Sequence, residues 1–200
     1  AGLTGSIAKA PLTVTINGVT RTYDGSTAAV LAGGNFSMGG LVGAETIAVN
    51  QTAGSFDSKN AGSRTVGASL NVGNFVAGND ASLSNYLLPT LASGAALITP
   101  KSVTLTAPSI SKVYDGGTAY TTVTGDLAAL SGALVAGDAV AAASFSFADK
   151  NAGAGNRGVL LNSATINDGN NGANYSVTLA GGNSGTITPR TLHVSATGVN

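Results

Sequence analysis

The side chains of this chain that could do chemistry are few, and most stand in turn sequence. All but one of its nine acidic residues are Asp. Asp24-Gly25 and Asp115-Gly116 have the composition of tight turns, because Asp bonds the backbone two residues on and Gly supplies positive φ. Tyr23 and Tyr114, directly before them, are expected to pack inward. Asp168-Gly169-Asn170-Asn171-Gly172 is rich in oxygen ligands, but it lacks the spacing and the closing Glu of an EF-hand calcium loop; a plain Asn/Gly loop is expected, with no metal. His193 is the single histidine, cysteine is absent, and no nucleophile-elbow motif occurs, so neither a triad nor thiol chemistry has its residues. No glycine cluster has the spacing of a phosphate or dinucleotide loop. No catalytic, cofactor-binding or metal-binding residue is assigned, and a non-enzymatic protein is expected.

Three further features carry sharper alternatives. Lys59-Asn60 and Lys150-Asn151 read first as turns anchored by Phe56 and Phe147. A Lys–Asn isopeptide cross-link is the alternative; it needs a buried Lys, an Asn and a nearby carboxylic acid. Neighbours on a strand point to opposite faces, so Lys59 would have to reach an Asn other than Asn60. Tyr120 is the candidate ligand contact, an aromatic with no aromatic counterpart in the first half. Asn35-Phe36-Ser37, Asn50-Gln51-Thr52 and Asn174-Tyr175-Ser176 fit the glycosylation sequon, which an Asn/Ser/Thr-rich chain also produces by chance.

What positions these residues is repetition. Tyr23 and Tyr114 stand 91 residues apart, as do Phe56 and Phe147; Tyr86 and Tyr175 stand 89 apart, as do Ile98 and Ile187. A register held that closely means two copies of one unit, read here as residues 10–100 and 101–189. Residues 1–9 read as the tail of a preceding repeat and 190–200 as the start of a following one, since Arg190-Thr191-Leu192-His193-Val194 aligns with Lys101-Ser102-Val103-Thr104-Leu105. Repetition on this scale implies length or avidity rather than one pocket.

Composition narrows the class. Only 9% of residues are charged and the net charge is zero, so a nucleic-acid partner is not expected. No run of about 20 apolar residues offers a membrane span. Apolar and polar residues alternate over 12–16, 103–107, 175–179 and 192–196, and strands are also expected over 46–49, 65–72, 139–147 and 158–161. Residues 26–32 and 126–135 are candidate short helices. The expected fold is all-β with at most one short helix per unit. An immunoglobulin-like β-sandwich is the first choice and a β-grasp-like unit, with 126–135 as its helix, the alternative. Ile98-Thr99-Pro100 and Ile187-Thr188-Pro189 lead directly into the next strand; a proline-stiffened joint predicts an extended, semi-rigid rod.

The landmarks Tyr23-Asp24-Gly25, Lys59-Asn60-Ala61-Gly62, Asn85-Tyr86 and Ile98-Thr99-Pro100 recur as Tyr114-Asp115-Gly116, Lys150-Asn151-Ala152-Gly153, Asn174-Tyr175 and Ile187-Thr188-Pro189. In this the chain resembles the YDG-type repeats of large bacterial exoproteins, including filamentous-haemagglutinin-like adhesins exported by two-partner secretion. Ser58 departs from the pattern, the second copy having Asp149. The resemblance implies an extracellular or bacterial cell-surface location and a structural stalk or spacer role in adhesion, matrix attachment or biofilm formation. The alternative is a module that binds matrix polysaccharide or another adhesin, or that self-associates. Neighbouring repeats of the same chain are the expected partners, and direct membrane insertion is not expected.

Overall fold

A computed structural model describes residues 5–196 and 198. Parts of the proposed flanking segments, residues 1–4 at one end and 197, 199 and 200 at the other, lie outside the described residues. The chain divides into two compact units, Ala1–Pro100 and Lys101–Asn200.

Unit 1 contains β1 (Ala10–Pro11), β2 (Thr13–Ile16), β3 (Val19–Thr22), β4 (Ala28–Val30), β5 (Phe36–Gly39), β6 (Thr46–Val49), β7 (Ala53–Phe56), β8 (Gly62–Ser69), β9 (Phe75–Gly78), β10 (Tyr86–Leu87) and β11 (Leu91–Thr99). Its main sheet runs β4-β7-β8-β11-β2-β5, with β3 also on β11; β1–β10 and β6–β9 form two further ribbons. Unit 2 contains β12 (Lys101–Thr106), β13 (Ser111–Val113), α1 (Thr124–Ser131), β14 (Ala139–Phe147), β15 (Gly153–Asn167), β16 (Tyr175–Ala180) and β17 (Gly182–Thr188). Its main sheet runs β13-β17-β15-β14, beside a ribbon of β12 and β16. Both units are strand-dominated, and one short helix is present in the second.

The two units share one plan. The opening segment runs parallel to the closing one: Arg21 stands opposite Ile98 and Lys112 opposite Ile187. Antiparallel strand pairs fill the middle. Alternation buries every second side chain, as Val14 and Ile16 on β2 and Val159 and Leu161 on β15 illustrate. Tyr23, Phe56, Val66 and Ile98 are among the buried core residues of unit 1; Leu105, Phe147, Val159 and Ile187 are among those of unit 2.

In each copy a glycine on the closing segment comes close to the backbone of the opening strand. A Cβ on Gly94 would sit 1.7 Å from the Ile16 carbonyl oxygen, and one on Gly182 would sit 2.7 Å from that of Ala107. Ile16 and Ala107 occupy equivalent positions, so the closing strand passes the opening strand at a point where a side chain does not fit.

Several expectations need correction. Residues 26–32 are not helical. Ala28–Val30 forms a strand, with Ala29 buried and Val30 exposed, a period of two that an isolated one-turn helix cannot outcompete. The helix expected over 126–135 lies at Thr124–Ser131 and is capped by Gly132. Its start is fixed by Asp126, whose carboxylate accepts the Val123 backbone N–H at 3.0 Å. The helix that a β-grasp-like unit needs therefore exists in one copy only; strand β5 replaces it in the other. Residues 192–196 carry no strand, and their described side chains are exposed. An alternating segment becomes a strand only when a neighbour completes its backbone hydrogen bonds, and the described residues offer it none.

Candidate functional site

The repeated motifs form three hydrogen-bonded hubs, built the same way in both units.

The first hub lies under the Tyr-Asp-Gly turn. The Asp24 carboxylate accepts the Ser26 N–H at 2.8 Å, and Asp115 accepts the Gly117 N–H at 2.9 Å. Gly25 and Gly116 take φ of 81° and 85°, which favours glycine. Beneath each turn sits a cation from the preceding strand. Arg21 donates to Asp24, to Ser26 Oγ, to the Ala28 carbonyl at 2.7 Å and to the Ser26 carbonyl. Lys112 donates to the carbonyls of Gly117 and Ala119 at 2.9 and 2.8 Å and pairs with Asp115 at 2.7 Å. The same cation lies over a core ring, Arg21 4.8 Å from the centroid of Phe56 and Lys112 5.9 Å from that of Phe147. Lys112 holds the Asp115 carboxyl below the usual carboxylate range. Tyr23 is buried; Tyr114 is half-buried against the unit 2 core.

The second hub is the Lys-Asn-Ala-Gly turn. Ser58 Oγ accepts the Asn60 N–H at 3.2 Å, and Asp149 accepts the Asn151 N–H at 2.8 Å, so the Ser/Asp difference between copies preserves one bond. An arginine closes each turn. Arg64 donates to the carbonyls of Asn60 and Ala61 at 2.7 and 2.8 Å; Arg157 pairs with Asp149 at 3.3 Å. The Asn151 N–H, and Arg157 after it, holds the Asp149 carboxyl low. Lys59 and Lys150 are exposed, and an isopeptide bond needs a buried lysine, so neither is placed for one.

The third hub centres on the Asn-Tyr tyrosine. The Tyr86 hydroxyl accepts the Val42 N–H at 3.0 Å and donates to Glu45. The Tyr175 hydroxyl accepts the Val135 N–H at 2.9 Å and donates to Asp138 at 2.6 Å. The bond to Glu45 holds the Tyr86 phenol above its ordinary range. Sequence reading missed Val42, Glu45, Val135 and Asp138. The signal was present: Leu41-Val42-Gly43-Ala44-Glu45 and Leu134-Val135-Ala136-Gly137-Asp138 are one more repeated landmark, ending in an acid of changed length.

The remaining candidates fall outside these hubs. Asp168 is buried, its carboxylate taken up by the N–H groups of Asn170, Gly172 and Asn174 at 2.7 to 3.0 Å. Burial pushes its pKa up, but those N–H bonds outweigh it and hold the carboxyl low. Its oxygens close the loop rather than face an ion, and among the described residues no three His, Cys, Asp or Glu side chains gather as a metal group. Asn174 is fully buried, donating to the Asp168 carbonyl and accepting from Asn170, so that sequon is closed to a glycan in the folded unit. Tyr120 is half-buried, edge-on to Phe145 and Phe147 at 6.3 and 6.4 Å. Its other side walls a shallow groove of about 300 Å³ with Lys112, Asp115 and Thr121. A larger groove of about 790 Å³ runs between Tyr114, Asn151 and the segment Pro189–His193, where His193 is exposed.

Taken together, the repeated residues define a tandem all-β repeat protein whose motifs lock its own turns. A family profile named YDG domain matches twice, over residues 8–93 and 99–184, and the chain belongs to the YDG domain family. No curated protein and no solved structure matches it.

Proposed function

We propose that the chain is a stretch of structural stalk from a bacterial extracellular adhesin, a spacer that performs no catalysis and serves attachment or biofilm formation. The observation that carries this reading is that bonds within each unit hold the repeated turns. In both copies the Tyr-Asp-Gly, Lys-Asn-Ala-Gly and Asn-Tyr landmarks are consumed by bonds that fix their own unit. The one-residue joint at Pro100, between strands ending at Thr99 and beginning at Lys101, suits a stalk of restricted bending, in which neighbouring repeats of the same chain are the principal partners.

The test has two arms. Small-angle scattering on chains of two and four units is expected to give a maximum dimension that grows linearly with unit number; a compact four-unit particle overturns the stalk. Antibody raised to the two-unit chain is expected to label intact cells of the producing bacterium; labelling only after lysis overturns the surface location.

A second reading, contact with extracellular polysaccharide, is favoured by the groove beside Tyr120. It requires retention on matrix polysaccharide that is lost in Tyr120→Ala, whereas a pure spacer shows no retention in either form.

A further inference from the structure

The two units differ at one strand edge. In unit 1, β1 and β10 pair over two residues each; Pro11 ends the first, and Pro89 lies just beyond the second, where a ladder N–H would be missing. In unit 2 the equivalent ribbon has no proline. β12 and β16 pair over six residues, from Lys101 opposite Tyr175 to Thr106 opposite Ala180.

The phase of that ladder fixes which backbone groups remain. Lys101 N–H donates to the Asn174 carbonyl and Ala107 N–H to the Ala180 carbonyl, both at 2.9 Å. In a parallel ladder alternate residues face the partner, so Ser176 and Thr178 point their backbone groups at β12. Val177 and Leu179 point theirs the other way, where no described strand pairs with β16. Both side chains are exposed, at 41% and 39%, and the strand Tyr-Ser-Val-Thr-Leu-Ala has no charge. Charge and proline are the usual guards of a strand edge. The outer edge of β12 starts at Lys101; β16 has neither guard.

We propose that β16 is a self-association edge, pairing antiparallel with β16 of a second copy of this chain. A two-fold axis through Thr178 brings Val177 opposite Leu179 of the partner copy and Leu179 opposite its Val177. Each such pair exchanges both backbone hydrogen bonds, which closes the ladder, and the interface is self-complementary as two-fold symmetry demands. A second copy is the fitting occupant because an uncharged edge does not repel itself and two copies match residue for residue. The inference does not depend on the stalk role: a chain that fails to dimerise can still be a spacer, and one that dimerises need not be.

The experiment uses the intact two-unit chain. Sedimentation equilibrium from micromolar to millimolar concentration is expected to show mass rising from one chain toward two. Amide exchange is expected to slow with concentration at Val177 and Leu179, while Ser176 and Thr178 are protected throughout. Val177→Lys/Leu179→Lys and Val177→Glu/Leu179→Glu are each expected to stay monomeric, with circular dichroism and melting like the parent, and their equimolar mixture to recover the dimer. A parent that stays monomeric at millimolar concentration overturns the proposal. So does a dimer that forms without slowing exchange at Val177 and Leu179, or a mixture of the two variants that fails to associate.

Discussion

The segment after the Tyr-Asp-Gly turn is where the two copies part. In unit 1 it runs as β5 and pairs with β2, Thr13 opposite Gly39 and Ile16 opposite Phe36. In unit 2 the aligned residues form α1, which packs Leu130 into the core. Both solutions deliver the same next residue to the same bond, since Val42 and Val135 each donate their N–H to the buried tyrosine. The middle strand pairing differs in a related way. Unit 1 breaks it into β6–β9 and β7–β8, whereas unit 2 runs β14 and β15 unbroken apart from two register shifts. The hubs are thus the invariant part of a unit, and the elements between them are exchangeable so long as they reach the hubs.

If that is right, the largest effects come from the tyrosines and not from the elements that differ. Tyr86→Ala and Tyr175→Ala are each expected to cost about 3–5 kcal/mol, as loss of a buried aromatic does. Tyr86→Phe and Tyr175→Phe are each expected to cost about 1–2 kcal/mol, because the Val N–H and the carboxylate both lose a partner. Amide exchange read unit by unit in the intact chain checks this. An equal response in the two copies supports the hub picture; a large loss in one alone breaks it.

Glycine at the strand crossing comes next. Gly94→Ala is expected to cost about 3 kcal/mol, and Gly182→Ala about 1–2 kcal/mol, since overpacking scales with how far the backbone must move and the clash at Gly94 is with a carbonyl at 1.7 Å rather than 2.7 Å. Denaturant midpoints rank the pair; a reversed order removes the crossing as the cause. For the cations, Arg21→Met and Lys112→Met are each expected to cost about 1–2 kcal/mol, leaving the turn carbonyls of Ser26 and Ala28, or of Gly117 and Ala119, without their donors. Exchange at Ser26 and Gly117 is expected to rise most, because the turn itself loosens.

Much of this was legible in the chain. Repeat spacing located both copies, and the further strands expected over 46–49 and 139–147 are β6 and β14 at their observed bounds. Composition marked Asp24-Gly25 and Asp115-Gly116 as turn sequence. What escaped was non-local. Glu45 and Asp138 lie 41 and 37 residues from the tyrosines they bond, and no local pattern announces such a pairing. Arg21 and Lys112 stand two residues before the Tyr-Asp-Gly landmarks, but their role depends on a phenylalanine 35 residues on. Ser26–Ala32 looked helical because Ala and Leu favour helices; a neighbouring strand, β7, overrode that weak preference.

The smallest effect is in acid, and it also separates the copies. Asp115, Asp149 and Asp168, the carboxyls held below their usual range, all lie in unit 2. Asp115 and Asp149 are open to solvent, where screening weakens the pairing; Asp168 is buried and bonded to three N–H groups, so it dominates. A carboxyl whose folded pKa lies below its unfolded value of 3.8 adds stability that is complete above that value and disappears as pH falls through the folded one. Below about pH 4, unit 2 is therefore expected to lose protection before unit 1, whose aligned loop begins with Asn79 in place of Asp168. Asp168→Asn is expected to lower the stability of unit 2 at neutral pH and to flatten its acid decline. The measurement is amide exchange of both units from pH 6 to pH 3 in one sample, with intrinsic exchange rates corrected for pH. Parallel decline of the two units would trace acid sensitivity to something they share and leave the Asp168 loop without a part in it.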